Sequence, residues 1–155
     1  MKRLHQLASY SILGVLIFVV DRITKSYALE HFGQTSVAAS WLSFDLTFNR
    51  GISWGMLHSD DGMFFWLVTA IIGIIALILL VYTFMQFKRG HPIIGETLVL
   101  AGAVSNILDR MLYGGVVDFI IITLFNVVPF GVFNIADVCI VAGVGLMVIT
   151  GYRHL

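Results

Sequence analysis

Two aspartates stand in apolar company near the C-terminal end of this 155-residue chain. One lies in Gly115-Val116-Val117-Asp118-Phe119, the other in Phe133-Asn134-Ile135-Ala136-Asp137. Carboxylates beside apolar residues in a membrane-like sequence are expensive to keep. One reading puts each at a helix end in the wet interface. The other folds the chain so that the two face each other and share a proton. Two adjacent carboxyls do not both ionise easily, so one stays acid while the other acts as base. Such a pair can hydrolyse a peptide without a covalent intermediate.

The elements that must position them are membrane elements. The chain is 59% hydrophobic and 12% charged, with a mean hydropathy of +0.96. Soluble domains run about 45–50% apolar and about 25% charged. This points to one compact integral membrane domain over 1–155. The zero net charge leaves no nucleic-acid footprint. A single cysteine, Cys139, excludes an internal disulfide and a multi-cysteine metal site. The histidines are scattered without ligand spacing, so neither a metal nor a cofactor is expected.

Leu4 to Val20 carries no charge, and the first span is placed at about 7–27. Lys2 and Arg3 before it, and Ser26-Tyr27-Ala28 after it, resemble a cleavable signal peptide. Asp21, Arg22 and Lys25 ahead of that site argue against cleavage. Asp21 and Lys25 are one helical turn apart with the acid first, the better order for a helix pair. Alone they read as an ion pair that softens a helix exit. The period then changes. Leu42, Phe44, Leu46 and Phe48 alternate with polar residues, Asn49-Arg50-Gly51 reads as a turn, and Ile52, Trp54 and Met56 alternate again. A small surface β region over 41–57 follows from that pattern. Further spans are placed at 64–87, 93–111 and 133–152. Gly102, Ala103 and Ser105 allow close helix approach in the third. Residues 112–132 are interrupted by Asn126, Pro129 and Gly131, and read as an interfacial loop. The fold class is therefore membrane α-helical: four transmembrane helices with a small β-sheet on the outer surface. Four spans put both termini on one side with Lys2, Arg3, Lys88, Arg89 and Arg153. Every acid except Glu96 then falls on the other side.

In this order the polar clusters resemble those of the lipoprotein signal peptidases (signal peptidase II), bacterial aspartic peptidases that trim lipid-modified prolipoproteins. The resemblance rests on five blocks across nearly the whole chain. They are Asp21-Arg22-Ile23-Thr24-Lys25, Asn49 to Gly55, Gly102 to Arg110, Gly115 to Phe119, and Phe133 to Asp137. Departures from the family pattern are Ala101 and Ser105 where glycines are usual, Ile52, Ser53 and Trp54 in the second block, and Val138 for a common serine.

The resemblance implies that Asp118 and Asp137 are the catalytic dyad; the dipole at the first turn of a helix separately points to Asp137 as the ionised partner. The resemblance further implies supporting or substrate-binding roles for Asn49, Gly51, Asn106, Asp109, Arg110, Asn134, Ala136, Asp21 and Lys25. Arg110 would hold substrate carbonyls or pair with Asp109 or Asp21. Asn134 would cap the fourth helix, bond to the dyad, or both. Cys139, about 200° round the helix from Asp137, should point away. The implied partners are diacylglyceryl prolipoproteins, cut just before the lipidated cysteine, and membrane lipid. The implied location is the bacterial cytoplasmic (inner) membrane, with both termini cytoplasmic and the site facing the periplasm or exterior. Two other readings compete. A small proton- or ion-translocating protein should show inverted repeats or several mid-span charges, and neither is found. A catalytically altered paralogue would bind lipidated peptides without cutting them.

Overall fold

The computed structural model describes residues 2–33, 36–51, 62–124 and 128–152. In chain order the elements are α1 (Lys2–His31), β1 (Ser36–Ala39), β2 (Leu42–Asn49), α2 (Gly62–Arg89), α3 (Ile94–Tyr113), β3 (Val116–Leu124), β4 (Val128–Phe133) and α4 (Ile135–Tyr152). A helix occupies each of the four segments expected to span. Of these, α1 and α2 are long and apolar enough to cross a membrane, while the apolar stretch of α4 is shorter.

Local chemistry ends the helices where the chain must turn. Gly90, at φ 84°, closes α2. Its N–H donates to the Phe87 carbonyl, and that of His91 to the Gln86 carbonyl, the paired bonds of a Schellman motif. Gly114, at φ 67°, closes α3 with one bond to the Arg110 carbonyl and sends the chain directly into β3.

The interior is polar and the exterior apolar. The largest fully buried side chains are Lys25, Val117, Asn134, Asp21, Asp109, Asp118 and Ser105. Ile12, Val15 and Leu16 on α1, Ile74, Ile75 and Ile78 on α2, and Val141 and Val148 on α4 are exposed. A water-soluble protein rarely shows apolar surface on that scale.

Helix α3 lies at the centre, packed against α4, α1 and α2. It meets α4 backbone to backbone. A Cβ on Gly102 would lie 2.6 Å from the Ala136 carbonyl oxygen, and one on Gly95 would lie 2.8 Å from that of Gly143. The expectation that Gly102 permits close approach therefore holds, and its neighbour across the interface is the turn that carries Asp137.

The segment 112–132 is not the irregular loop that its Asn, Pro and Gly suggest. It forms β3, β4 and the short connection into them. The run from Val116 to Thr123 is β-branched and aromatic apart from Asp118, which suits a pleated sheet. The strand order is β1-β2-β3-β4, antiparallel throughout. Pro129 pairs opposite Thr123 in β4, an edge strand where a missing N–H is tolerated. Strand β2 forms as expected, but its described partners are β1 and β3. The expected return strand through Ile52, Trp54 and Met56 lies outside the described residues.

Candidate active site

The two aspartates arrive from different elements and meet through one asparagine. Asp118 sits on β3 with Thr47 of β2 as its register partner. Its Oδ2 accepts from Asn49 Nδ2 at 3.0 Å, and its Oδ1 from Asn134 Nδ2 at 2.7 Å. The Asn49 amide is oriented for this, because its own Oδ1 accepts the Gly51 N–H at 2.9 Å. Asp137 occupies the third position of α4, and Asn134 is the N-cap. Asn134 Oδ1 accepts the Asp137 N–H at 2.9 Å, and Asp137 Oδ2 accepts the Asn134 N–H at 3.2 Å. That is a reciprocal capping box with Asp in the place of Glu. Asn134 thus caps the helix and bonds both carboxyls. Asp137 Oδ1 also accepts from Asn106 Nδ2 at 2.8 Å.

Behind the pair lies a buried ionic framework. Lys25 Nζ donates to Asp21 Oδ2 at 2.8 Å, Asp109 Oδ2 at 2.7 Å and Asn106 Oδ1 at 2.7 Å, which uses all three ammonium protons. Each of the two carboxylates it joins also holds a backbone amide next to the dyad. Asp21 Oδ1 accepts the Ala136 N–H at 2.9 Å, one residue before Asp137. Asp109 Oδ2 accepts the Val117 N–H at 3.2 Å, one residue before Asp118. Lys25 therefore ties together the two strips of backbone that carry the aspartates. The ion pair expected at a helix exit exists, but it is fully buried and has this second function.

Two members of the framework escape the sequence reading. Arg22 Nη2 pairs with Asp109 Oδ1 at 2.6 Å. The Ser105 hydroxyl donates to Asp21 Oδ2 at 2.6 Å. Arg22 lies three residues before Lys25, on the same helical face, which was the available signal. Nothing local marks Ser105, whose partner is far away in sequence.

Arg110 is buried and does not pair with Asp109 or Asp21. Its guanidinium donates to the carbonyl oxygens of Gly51 and Arg50, so it holds the chain just after Asn49. Asp109 and Asp21 are taken instead by Arg22 and Lys25. The Arg110 and Arg50 guanidinium carbons lie 5.5 and 5.4 Å from the centre of the Phe65 ring. Gly51 and Ala136 thus contribute backbone rather than side chain. Ile52 to Gly55 of the second block lie outside the described residues.

The environments of the two carboxyls differ. Asp118 is 1% exposed, while Asp137 is only half-buried. Burial, and then the neighbouring Asp137, push the Asp118 carboxyl from its ordinary 3.8 up to about 7, against the pull of Asn49, Asn134 and Lys25. A carboxyl that holds its proton up to about 7, beside a second carboxyl that caps a helix, is an arrangement able to move protons in both directions.

The family model described as "Signal peptidase (SPase) II" matches residues 13–153. A lipoprotein signal peptidase of Pseudomonas paraeruginosa is 33% identical over 146 residues, covering 91% of this chain and 86% of that protein. One from Dichelobacter nodosus is 32% identical over 143 residues, covering 92% of each. A solved bacterial membrane enzyme superposes with a TM-score of 0.74 at 28% identity, over 94% of this chain and 88% of that one.

Proposed function

The chain belongs to the signal peptidase II family, aspartic peptidases that remove the signal peptide from prolipoproteins, and from that premise we propose how its residues do so. Asp118 and Asp137 are the catalytic pair. The observation that carries this is Asn134, hydrogen-bonded at once to both carboxyls. Asp137, at the N-terminus of α4 where the helix dipole favours negative charge, is the ionised partner. Asp118 is the acid.

In the first step Asp137 takes a proton from water. The water oxygen bonds to the scissile carbonyl carbon, and Asp118 gives its proton to the carbonyl oxygen. In the second step Asp137 passes its proton to the departing amine nitrogen, the C–N bond breaks, and Asp118 recovers its proton from the diol. Both carboxyls return to their starting states. Asn106, Asn134 and Asn49 hold the carboxyl oxygens in place, and Lys25 with Asp21 and Asp109 fixes the backbone beneath them. Arg110 anchors the carbonyls of 50 and 51, which leaves the β2 end beside the site as a support for extended peptide.

The four helices cross the bacterial inner membrane with both termini cytoplasmic, and the sheet lies on the outer surface. The polar interior and apolar exterior support the crossing, and the basic residues clustered at the span ends on the side of the termini support the orientation. The substrate is a prolipoprotein whose cysteine carries diacylglycerol, cut just before that cysteine. Its acyl chains remain in lipid while the scissile bond reaches the site at the interface. The ion-translocating and non-cutting readings are not favoured.

The test uses purified protein in detergent, with one prolipoprotein supplied either with or without the diacylglyceryl group. Cleavage of the lipidated form alone is expected. Equal cleavage of both, or of neither, contradicts the proposed substrate.

A further inference from the structure

Helix α2 turns most of its surface outward. Its buried residues are Phe65, Val68, Thr69 and Thr83. Three aromatic residues stand in a row near its start, Phe64, Phe65 and Trp66, and of these only Phe65 is buried, at 2% exposure. Val68 and Thr69, three and four residues on, share its face of the helix. The Thr69 hydroxyl donates to the Phe65 carbonyl at 2.9 Å, and the Trp66 ring meets the Phe65 ring edge-on at 5.3 Å.

This buried ring lies against charge. The guanidinium carbons of Arg50 and Arg110 are 5.4 and 5.5 Å from its centre, inside the range of about 6 Å over which an aromatic face attracts a cation. Arg110 is 3% exposed, and among the described residues no carboxylate lies within ion-pair distance of it. A buried charge without a counter-ion is costly unless other groups take its place. Arg110 has two carbonyl oxygens, those of Arg50 and Gly51, and the Phe65 ring. Such a ring counts for most where water is excluded.

The contacts continue to the acid. Arg110 holds the carbonyls of Arg50 and Gly51. The Gly51 N–H donates to Asn49 Oδ1 at 2.9 Å, and Asn49 Nδ2 donates to Asp118 Oδ2 at 3.0 Å. We propose that Phe65 is a positioning residue of the peptidase: through the Arg110 guanidinium it holds the 49–51 segment, and with it the Asn49 amide on the Asp118 carboxyl. The role rests on the reading of Asp118 as the catalytic acid. It belongs to the electron-rich face of the ring. A ring that only filled space could be exchanged for any side chain of its size.

The experiment separates those two. Full-length protein in detergent is made with phenylalanine bearing one, two or three ring fluorines in place of Phe65, and cleavage of a diacylglyceryl prolipoprotein is followed. Each fluorine withdraws electron density from the ring face and changes its volume little. kcat should fall step by step, to roughly a tenth of the parent value with three fluorines, while KM stays within about twofold. Phe65→Leu should lose at least as much. A kcat that stays flat across the fluorinated series overturns the inference, and so does a fall carried by KM alone. The series stands whether or not Phe65→Leu folds. A parent protein that cuts no prolipoprotein refutes the peptidase reading instead. In that case the contact is read from the melting temperatures, which should still fall with each fluorine, and unchanged ones overturn it.

Discussion

Asp118 and Asp137 are chemically the same residue in different surroundings, and the difference sets the pH behaviour. The buried Asp118 holds its proton up to about pH 7. Cleavage needs that proton, so the rate should fall as pH rises through about 7. A rate that stays flat from pH 6 to 9 would contradict Asp118 as the acid. Stability follows the same group. The unfolded chain releases this proton near 3.8 and the folded protein near 7, so folding takes up a proton between those values. Stability from this source therefore falls as pH rises across that window and levels off above it. Asp118→Asn removes the effect. The melting temperature of the variant minus that of the parent should become more positive between pH 5 and pH 8, and a difference independent of pH would contradict it. At this scale the sequence is informative where partners sit close together. Asn134 and Asp137, three residues apart, are readable as cap and capping-box partner. Arg22 with Asp109 and Ser105 with Asp21 are long-range pairs, and no local pattern announces them.

The elements are held in register by buried charge and by glycine. Lys25 joins Asp21 of α1 to Asp109 of α3, and through them the amides of Ala136 and Val117. Removing one partner of a buried ion pair typically costs about 3–5 kcal/mol. Lys25→Met should lower stability by about that much, read by thermal unfolding in detergent, and a melting temperature like the parent's would contradict the framework. Gly102→Val places a methine carbon within 2.6 Å of the Ala136 carbonyl and 2.8 Å of Ile140 Cγ1. It should separate α3 from the start of α4 and reduce cleavage sharply. Gly73→Val on α2, where a Cβ meets nothing within 4 Å, should not. The runs Leu4–Val20, Gly62–Phe87 and Val138–Tyr152 are legible as helices because they are long, uncharged and free of Pro and Asn, whereas the equally uncharged Phe119–Ala136 is interrupted by both. The β3–β4 hairpin is not legible, because its punctuation by Asn126, Pro129 and Gly131 resembles a loop. Its stabilising neighbour, β2, lies some 70 residues earlier, and the edge position that tolerates Pro129 is a property of the assembled sheet.

On the scale of the whole molecule, the polar residues are gathered inside and the apolar ones turned out. That inversion follows from the composition, but which polar residues meet does not. An even number of spans predicts that the α2–α3 turn lies on the side of the termini and the sheet on the other. In a Cys139→Ala background, Val37→Cys should react with an impermeant thiol reagent from outside intact spheroplasts, and Arg89→Cys should react only after lysis. The reverse pattern would overturn the orientation. The most direct test of the account is cleavage of a diacylglyceryl prolipoprotein, followed by gel shift, by the parent protein and by Asp118→Asn and Asp137→Asn. General acid–base groups typically contribute about 10²–10⁴-fold each. The account predicts cleavage by the parent and a loss of at least about 10²-fold in each folded variant. Cleavage that survives either substitution would contradict the dyad.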